Sequence, residues 1–407
     1  MKLIYNIGLQ AYRLALHIVA PFNLKAKQMI AGHRKVWSCI AKADKTVEYL
    51  WVHCASLGEF EQGRPIIEAF KKRAPKAKVL LTFFSPSGYE IRHNYEGADV
   101  VIYLPFDTKR NAQRLLSSLP ISKAIFVKYE FWFHYLKTLN EKAIPTYLVS
   151  GIFREQQVFF KWYGPWYRKM LSFFTTLFVQ NESSKRLLST IGIEQVVVAG
   201  DTRFDRVAAI VKQARDLPEI ATFKDDKRLV VAGSTWPKDE ELLIPFINQD
   251  TSETKYIIAA HEVHESHIQA VCKALTVPYQ RYTSMDAGLL VEAKVLVIDT
   301  IGVLSSAYRY GEIAYIGGGF GVGIHNILEA ATYGMPVIFG PNYQKFKEAV
   351  DLVAEEAAFP IQHDDELKRV LESLFSDKLR LKESSSAAAA YVQQHTGATD
   401  QILELIS

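Results

Sequence analysis

From about residue 46 onward the chain alternates short apolar, β-branched runs with segments of helical periodicity, and few folds satisfy that alternation. Strands are expected at 49–54, 78–83, 100–104, 124–127, 146–149, 177–179 and 195–198, with helices over 59–72, 108–117 and 182–190 between them. Nearly continuous apolar strands separated by helices imply a parallel sheet covered on both faces. The polar stretch 205–227, with Asp216-Leu-Pro218 and the charged run that starts at Lys224, interrupts the rhythm. A second series follows, with strands at 229–232, 256–259, 295–298, 313–316 and 337–339 and helices over 238–247, 265–274 and 366–375. A chain of 407 residues has material for two domains of ~180 residues each. The expected fold class is therefore α/β, with two doubly wound Rossmann-like domains facing a central cleft. Residues 1–45 form an N-terminal segment, 46–205 the first domain, 206–227 a linker and 228–407 the second domain, whose last helix can pack back on the first. No solenoid period is visible, and the run of three Ser and four Ala at 384–390 reads as helix.

Charge narrows the classes of function. A net charge of +4 is mild for this length and argues against a dedicated nucleic-acid protein. The basic residues are nevertheless uneven: Lys2, Arg13, Lys25, Lys27, Arg34, Lys35 and Lys42 occur with no acidic residue among them, interleaved with Leu3, Ile4, Ile7, Leu14, Ile18 and Phe22. That pattern predicts an amphipathic helix lying on an anionic membrane surface. Its apolar run, 14–22, is far shorter than the ~20 residues a span needs, and Gln10 and Arg13 disfavour a cleavable signal peptide. Cys39, Cys54 and Cys272 form no CxxC pair, which fits a reducing compartment and gives no support for zinc.

The loops after the strands carry the candidate chemistry. In the segment 317–323, Gly-Gly-Gly-Phe-Gly-Val-Gly, five glycines let backbone N–H groups approach an anion, and a helix is expected to open near 323–326. Gly318 and Gly319 would face a phosphate, while Asn326 and Glu329, three apart, would accept a ribose. Ser56 and Gly58 set the turn after the first strand and put Glu59 in the first turn of a helix, where dipole and burial pull its pKa in opposite directions. Ser85, Ser87 and Gly88 form a second hydroxyl-bearing loop, and Glu130 sits among aromatic residues at a strand end, an expensive place for an unpaired charge. Ser234, Thr235, His261 and Gly302 occupy the corresponding loops of the second half. The spacing of His261, His264 and His267 is poor for zinc, so neither a metal nor a cofactor is expected. No Walker A segment, nucleophile elbow or first-loop GxGxxG is present.

The ordered set of motifs 51–59 (Trp-Val-His-Cys-Ala-Ser-Leu-Gly-Glu), 82–88 (Thr-Phe-Phe-Ser-Pro-Ser-Gly), 129–132 (Tyr-Glu-Phe-Trp), 200–205 (Gly-Asp-Thr-Arg-Phe-Asp), 299–302 (Asp-Thr-Ile-Gly) and His325-Asn326 with Glu329 resembles the bacterial 3-deoxy-D-manno-octulosonic acid (Kdo) transferases. The resemblance runs nearly the length of the chain. It implies a GT-B-type fold, CMP-Kdo as donor, a lipid A precursor as acceptor, inversion at the anomeric carbon without a required metal, and a place on the cytoplasmic face of the bacterial inner membrane. It further implies that Glu59 is the general base and Glu130 a second essential carboxylate. Ser234, Thr235, His261, Gly302, Gly318, Gly319, His325, Asn326 and Glu329 fall at donor positions, and Ser56, Gly58, Ser85, Ser87, Gly88 and Arg203 at acceptor positions. Arg203 stands where the family usually has Lys, Ala259-Ala-His261 replaces a Pro-Arg-His, Val303 replaces a Glu and Ile324 a Gly. The alternatives are another GT-B-type sugar-nucleotide enzyme, such as a UDP-sugar transferase or an epimerase, and a non-catalytic nucleotide or lipid sensor at a membrane surface.

Overall fold

The computed structural model describes residues 1–406, which divide into two compact units: 1–206 together with 396–406, and 207–395. The first opens with helices α1 (Lys2–Val19) and α2 (Leu24–Lys42), separated at Pro21 and capped anew by the Asn23 side chain, which accepts the Ala26 N–H. It continues as β1 (Tyr49–Cys54), α3 (Leu57–Arg73), β2 (Lys78–Phe83), α4 (Pro86–Arg92), β3 (Val100–Tyr103), α5 (Lys109–Ser118), β4 (Ile121–Val127), α6 (Phe133–Glu141), β5 (Thr146–Gly151), α7 (Pro165–Leu171), β6 (Thr176–Val179), α8 (Glu182–Ser189) and β7 (Val196–Val198). Every pairing is parallel, in the order β3-β2-β1-β4-β5-β6-β7. All six side chains of β1 are buried because helices cover both faces of the sheet. The strand order reverses between β1 and β4, and their carboxyl ends therefore border the crevice where open α/β sheets bind ligands.

Helix α9 (Thr202–Gln213) crosses the boundary between the units. It leads to α10 (Pro218–Lys224), β8 (Leu229–Thr235), α11 (Pro237–Gln249), β9 (Lys255–Ala260), α12 (Glu265–Ala274), β10 (Tyr279–Arg281), β11 (Val295–Ile298), α13 (Leu304–Ala307), β12 (Ile313–Ile316), α14 (Leu328–Ala331), β13 (Val337–Phe339), α15 (Lys347–Ala354), β14 (Ala358–Pro360), α16 (Asp364–Ser376) and α17 (Lys378–Gln394). The second sheet is also wholly parallel, ordered β10-β11-β9-β8-β12-β13-β14, with its reversal between β8 and β12. Two edge strands, β10 and β14, escape the sequence reading because each is three residues long and neither is a run of aliphatics. The stretch read as a linker is helical instead: α9 buries Phe204 and Val207, and α10 buries Ile220 and Phe223, apolar spacings diluted by the charges around them.

The N-terminal segment belongs to the first unit. Helix α2 buries Ala26, Met29, Val36 and Ile40, whereas α1 buries no residue completely and is held by part-buried Tyr5 and Leu16 against the core and by polar contacts. Tyr5 Oη donates to Asp107 Oδ2 at 2.5 Å, and Asn6 Oδ1 lies 2.7 Å from His134 Nε2. Asp107 also accepts the backbone N–H groups of His134 and Tyr135, and burial pushes its carboxyl up to about 6. Among the described residues no helix is long and apolar enough to cross a membrane.

The last helix, α18 (Ala398–Ile406), returns to the first unit, where Ile402, Leu403 and Ile406 join the core over β1, β2 and α3. The segment 200–205 organises this closure. Asp201 accepts from Gln62 and Gln180 Nε2 and from Arg203, Thr202 Oγ1 donates to the Gln62 carbonyl, and Asp205 caps α18 by accepting Gly397 and Thr399 N–H at 2.6 and 2.7 Å. Burial opposes ionisation of Asp201, but the Arg203 guanidinium and these donors outweigh it and hold the carboxyl below its ordinary range. Asp205→Ala removes two acceptors from a helix start; it should cost about 1–2 kcal/mol in urea unfolding and raise amide exchange selectively across 398–406.

Candidate functional site

The first unit assembles its polar groups at the reversal between β1 and β4. His53, the fifth residue of β1, is buried; its Nδ1 lies 2.8 Å from Thr82 Oγ1 and its Nε2 3.0 Å from Glu130 Oε2. Trp132 Nε1 donates to the same Glu130 oxygen at 2.7 Å, and Trp51 Nε1 donates to Thr82 Oγ1 at 2.9 Å. Trp132 Nε1 also lies 3.0 Å from His53 Nε2, so Thr82, His53, Trp132 and Glu130 form one contiguous hydrogen-bonded cluster. Lys128, at the end of β4, adopts φ 61°, a left-handed conformation that turns the chain immediately before Glu130. A non-glycine residue in that region costs on the order of 1 kcal/mol, and such strain collects at functional sites.

Glu59 occupies the third position of α3, whose cap is Ser56, and its Oε2 accepts the Ala55 N–H at 2.5 Å. Burial and the charge of Glu130 push its carboxyl up to about 7, against the opposing pull of the Ala55 N–H, His53 and Lys128. The contest between helix dipole and desolvation is decided for desolvation, and Glu59 can gain or lose a proton near neutrality. Beside Glu130 lies a cavity of about 450 Å³ walled by Tyr5, Tyr129, Phe131, Trp132 and Tyr167. Aromatic walls with a single carboxylate suit the apolar face and hydroxyls of a sugar ring.

The remaining acceptor candidates divide. Ser85 caps α4, accepting the Ser87 N–H, and its Oγ lies 2.7 Å from Ser87 Oγ, which is exposed. Gly88 is required for packing, since a Cβ there would fall 2.3 Å from the Phe83 ring. Gly58 is exposed in the first turn of α3, beside Ser56. Arg203 is committed to Asp201 at 2.9 Å, so its position in the resemblance translates here into a structural ion pair.

In the second unit the loops after β8, β9 and β12 meet. Trp236, His261 and His325 form a stack of rings, with centroids 4.6 Å apart for Trp236 and His261 and 4.3 Å for His261 and His325. Trp236 Nε1 donates to His325 Nε2 at 2.6 Å, and burial together with neighbouring His261 holds the His325 imidazole down at about 4. His325 is therefore neutral at pH 7, with its proton on Nδ1. Asp239, buried at the start of α11, ties the loops together by accepting from Trp236 N, Gly318 N and Tyr315 Oη.

The glycine loop departs from expectation. The Gly317 and Gly318 N–H groups are already bonded, to the Gly233 carbonyl and to Asp239, so they are not available to an anion. Gly319 is enforced by close approach, a Cβ there lying 2.5 Å from Gly340 N. The expected helix opening near 323–326 moves to Leu328, and α14 spans only four residues, because Asn326 Oδ1 takes the Leu328 N–H and Gly323 lies at φ 146°. Asn326 Nδ2 donates to Glu329 Oε1 at 3.1 Å, bringing together the pair expected for the ribose. Thr235 spends its hydroxyl on buried Glu240, while Ser234, at φ 53°, is part-exposed. Gly302 is exposed, at φ 90°, with open space where a Cβ would be. His267 lies 3.1 Å from Glu240 and His261 in the ring stack, so these histidines do not form a metal-ligand set. His53, Trp132 and Trp236 were not singled out from the sequence. The one available signal was a histidine inside an otherwise apolar strand.

The family described as 3-deoxy-D-manno-octulosonic-acid transferase (kdotransferase) matches residues 29–206, most of the first unit and less than half of the chain. A 3-deoxy-D-manno-octulosonic acid transferase of Rickettsia felis is 27% identical over 370 residues, covering 88% of this chain and 78% of the relative. A bifunctional glycosyltransferase/methyltransferase of Fusobacterium nucleatum is 24% identical over 355 residues, 82% of this chain; the match spans about half of that longer protein, 54%. In fold, the chain is similar to the UDP-GlcNAc 2-epimerase of Neisseria meningitidis, with a TM-score of 0.62 at 16% identity, covering 88% of this chain and 99% of the epimerase. The chain is thus similar to the Kdo transferases through most of its first unit by the family pattern, and over most of its length to curated transferases.

Proposed function

We propose that this glycosyltransferase moves Kdo from CMP-Kdo to a hydroxyl of a lipid A precursor by single displacement with inversion, with Glu59 as general base. The observation that carries this reading is the pair of unlike carboxylates in the first unit: Glu130 hydrogen-bonded to His53 and Trp132, and Glu59 raised to about 7. The ionised form of Glu59 takes the proton of the acceptor hydroxyl as its oxygen bonds to the anomeric carbon, and the bond to the CMP phosphate breaks. Glu130 keeps the proton affinity of Glu59 high enough for this, by charge, and offers an acceptor to the sugar in the aromatic-walled cavity.

The second unit takes the nucleotide in this reading. His261 and His325 present a ring stack against which a pyrimidine or phosphate can lie, and Asn326 with Glu329 accepts ribose hydroxyls. The proposed setting is the cytoplasmic face of the inner membrane. Exposed Leu3, Ile4, Ile7, Leu14, Ile18 and Phe22 on and just after α1, in a segment without acidic residues, support contact with anionic lipid.

Transfer to a tetraacylated, bisphosphorylated disaccharide lipid, followed by mass spectrometry, tests the reaction. Glu59→Gln should lower kcat by at least about 10³-fold while CMP binding stays within twofold; turnover near that of the unsubstituted protein would overturn the base assignment. The rate should rise with pH through about 7 as Glu59 ionises. In Glu130→Gln the residual activity should keep this acid limb but shift it to lower pH, because the charge that raises Glu59 is gone. An unshifted limb would mean that Glu130 does not tune the base.

A further inference from the structure

Away from the Glu59 site, α1, α2 and the loop between β3 and α5 enclose a cavity of about 260 Å³ whose lining includes Arg13, His17, His33, Arg34, Trp37 and Phe106. Two nitrogens in this set, Arg13 Nε and His33 Nε2, are buried without a hydrogen-bond partner. An unsatisfied buried donor costs about 1–3 kcal/mol, and few are tolerated. Both side chains are held in place: the Arg13 guanidinium lies 5.3 Å over the Phe106 ring, Arg13 Nη1 donates to Gln10, and His33 stacks on Phe106 at 4.3 Å. No carboxylate lines the cavity, and residues 1–43 contain none. Asp107, next to Phe106, spends its oxygens on Tyr5, His134 and Tyr135. Arg114 adds a further cation, 4.0 Å over the Trp37 ring.

We infer that this cavity is a binding site for a phosphomonoester dianion of the kind carried by an anionic lipid headgroup. A dianion of that size supplies acceptors to Arg13 and His33 together and to the exposed guanidinium of Arg34. The lipid source is favoured by the surroundings, since Leu14, Ile18, Val19, Phe22 and Leu24 project into solvent around the same helix pair and would meet acyl chains attached to the bound group. Burial, with the nearby Arg13 charge, holds the His33 imidazole down at about 4, so the positive charge of the pocket is carried by the guanidinium groups. The cavity shares no lining residue with the one beside Glu130, and its assignment to a lipid headgroup rests on the membrane-surface reading above.

Binding is read without donor or turnover. The full chain is sedimented with phosphatidylcholine vesicles carrying either phosphatidic acid, a monoester, or phosphatidylglycerol, a diester, at matched surface charge. Inorganic phosphate is titrated calorimetrically in parallel. The full chain should prefer the monoester vesicles by about tenfold; Arg13→Gln with Arg34→Gln should erase that preference, whereas Lys25→Gln with Lys27→Gln, removing the same charge from α2 outside the cavity, should weaken both kinds of vesicle alike. Saturable phosphate binding lost in the Arg13/Arg34 variant, with no vesicle preference, would keep the site and make its source soluble. Absence of both signals, or a preference that survives the Arg13 and Arg34 substitutions, overturns the inference. Should Arg13→Gln fold poorly, exposed Arg34→Gln alone carries the test.

Discussion

A parallel sheet buried on both faces leaves its strands almost nowhere to place a polar side chain except at their carboxyl ends, and that constraint organises both halves of this protein. In each unit the strand order reverses once, between β1 and β4 or between β8 and β12, and the two loops at that point diverge to opposite faces of the sheet. The polar residues that matter collect there. His53 is the exception that proves useful: it lies inside an all-buried strand, and satisfying its two nitrogens requires Thr82 on one side and Glu130 on the other. The hydrogen-bonding demand of one imidazole therefore fixes the position of a carboxylate carried by a different strand's loop.

Two carboxylates brought to one edge do not share one environment. Glu130 has two N–H donors on one oxygen, while Glu59 has a single backbone N–H, apolar surroundings and the field of Glu130. The difference in environment is why Glu59 is the carboxylate proposed for the acid–base work, by the same logic that separates paired carboxylates in many hydrolases and transferases. Left-handed backbone at Lys128, Ser150 and Ser234, each closing or following the polar end of a strand, is the conformational cost of aiming these loops.

The glycine-rich segment carries a different lesson. Its composition suggested a phosphate cradle, yet the N–H groups of Gly317, Gly318, Gly321 and Gly323 serve the fold and Gly319 is small because Gly340 lies against it. What the second unit offers is a set of side chains: stacked rings from Trp236, His261 and His325, and the Asn326–Glu329 pair. Asp239, in the first turn of α11, is the common anchor of the β8 and β12 loops.

The alternation of apolar strands and helices determined the class of fold, the two parallel sheets and most strand positions, because a buried parallel strand needs an unbroken apolar run and a helix needs its own period. Glu59, Glu130, Asn326 and Glu329 were legible as candidates, since charged or amide side chains at strand ends and helix starts have few structural reasons to be there. Tertiary structure alone decided the rest. The pairing of His53 with Glu130 joins residues 77 apart in sequence, and the Trp236–His325 contact joins residues 89 apart. Arg203 became a structural partner of Asp201, and Thr235 turned inward to Glu240. No local pattern encodes such choices. A side chain's pKa and its free hydrogen-bonding capacity depend on what distant segments bring against it, and only the packed sheets specify that.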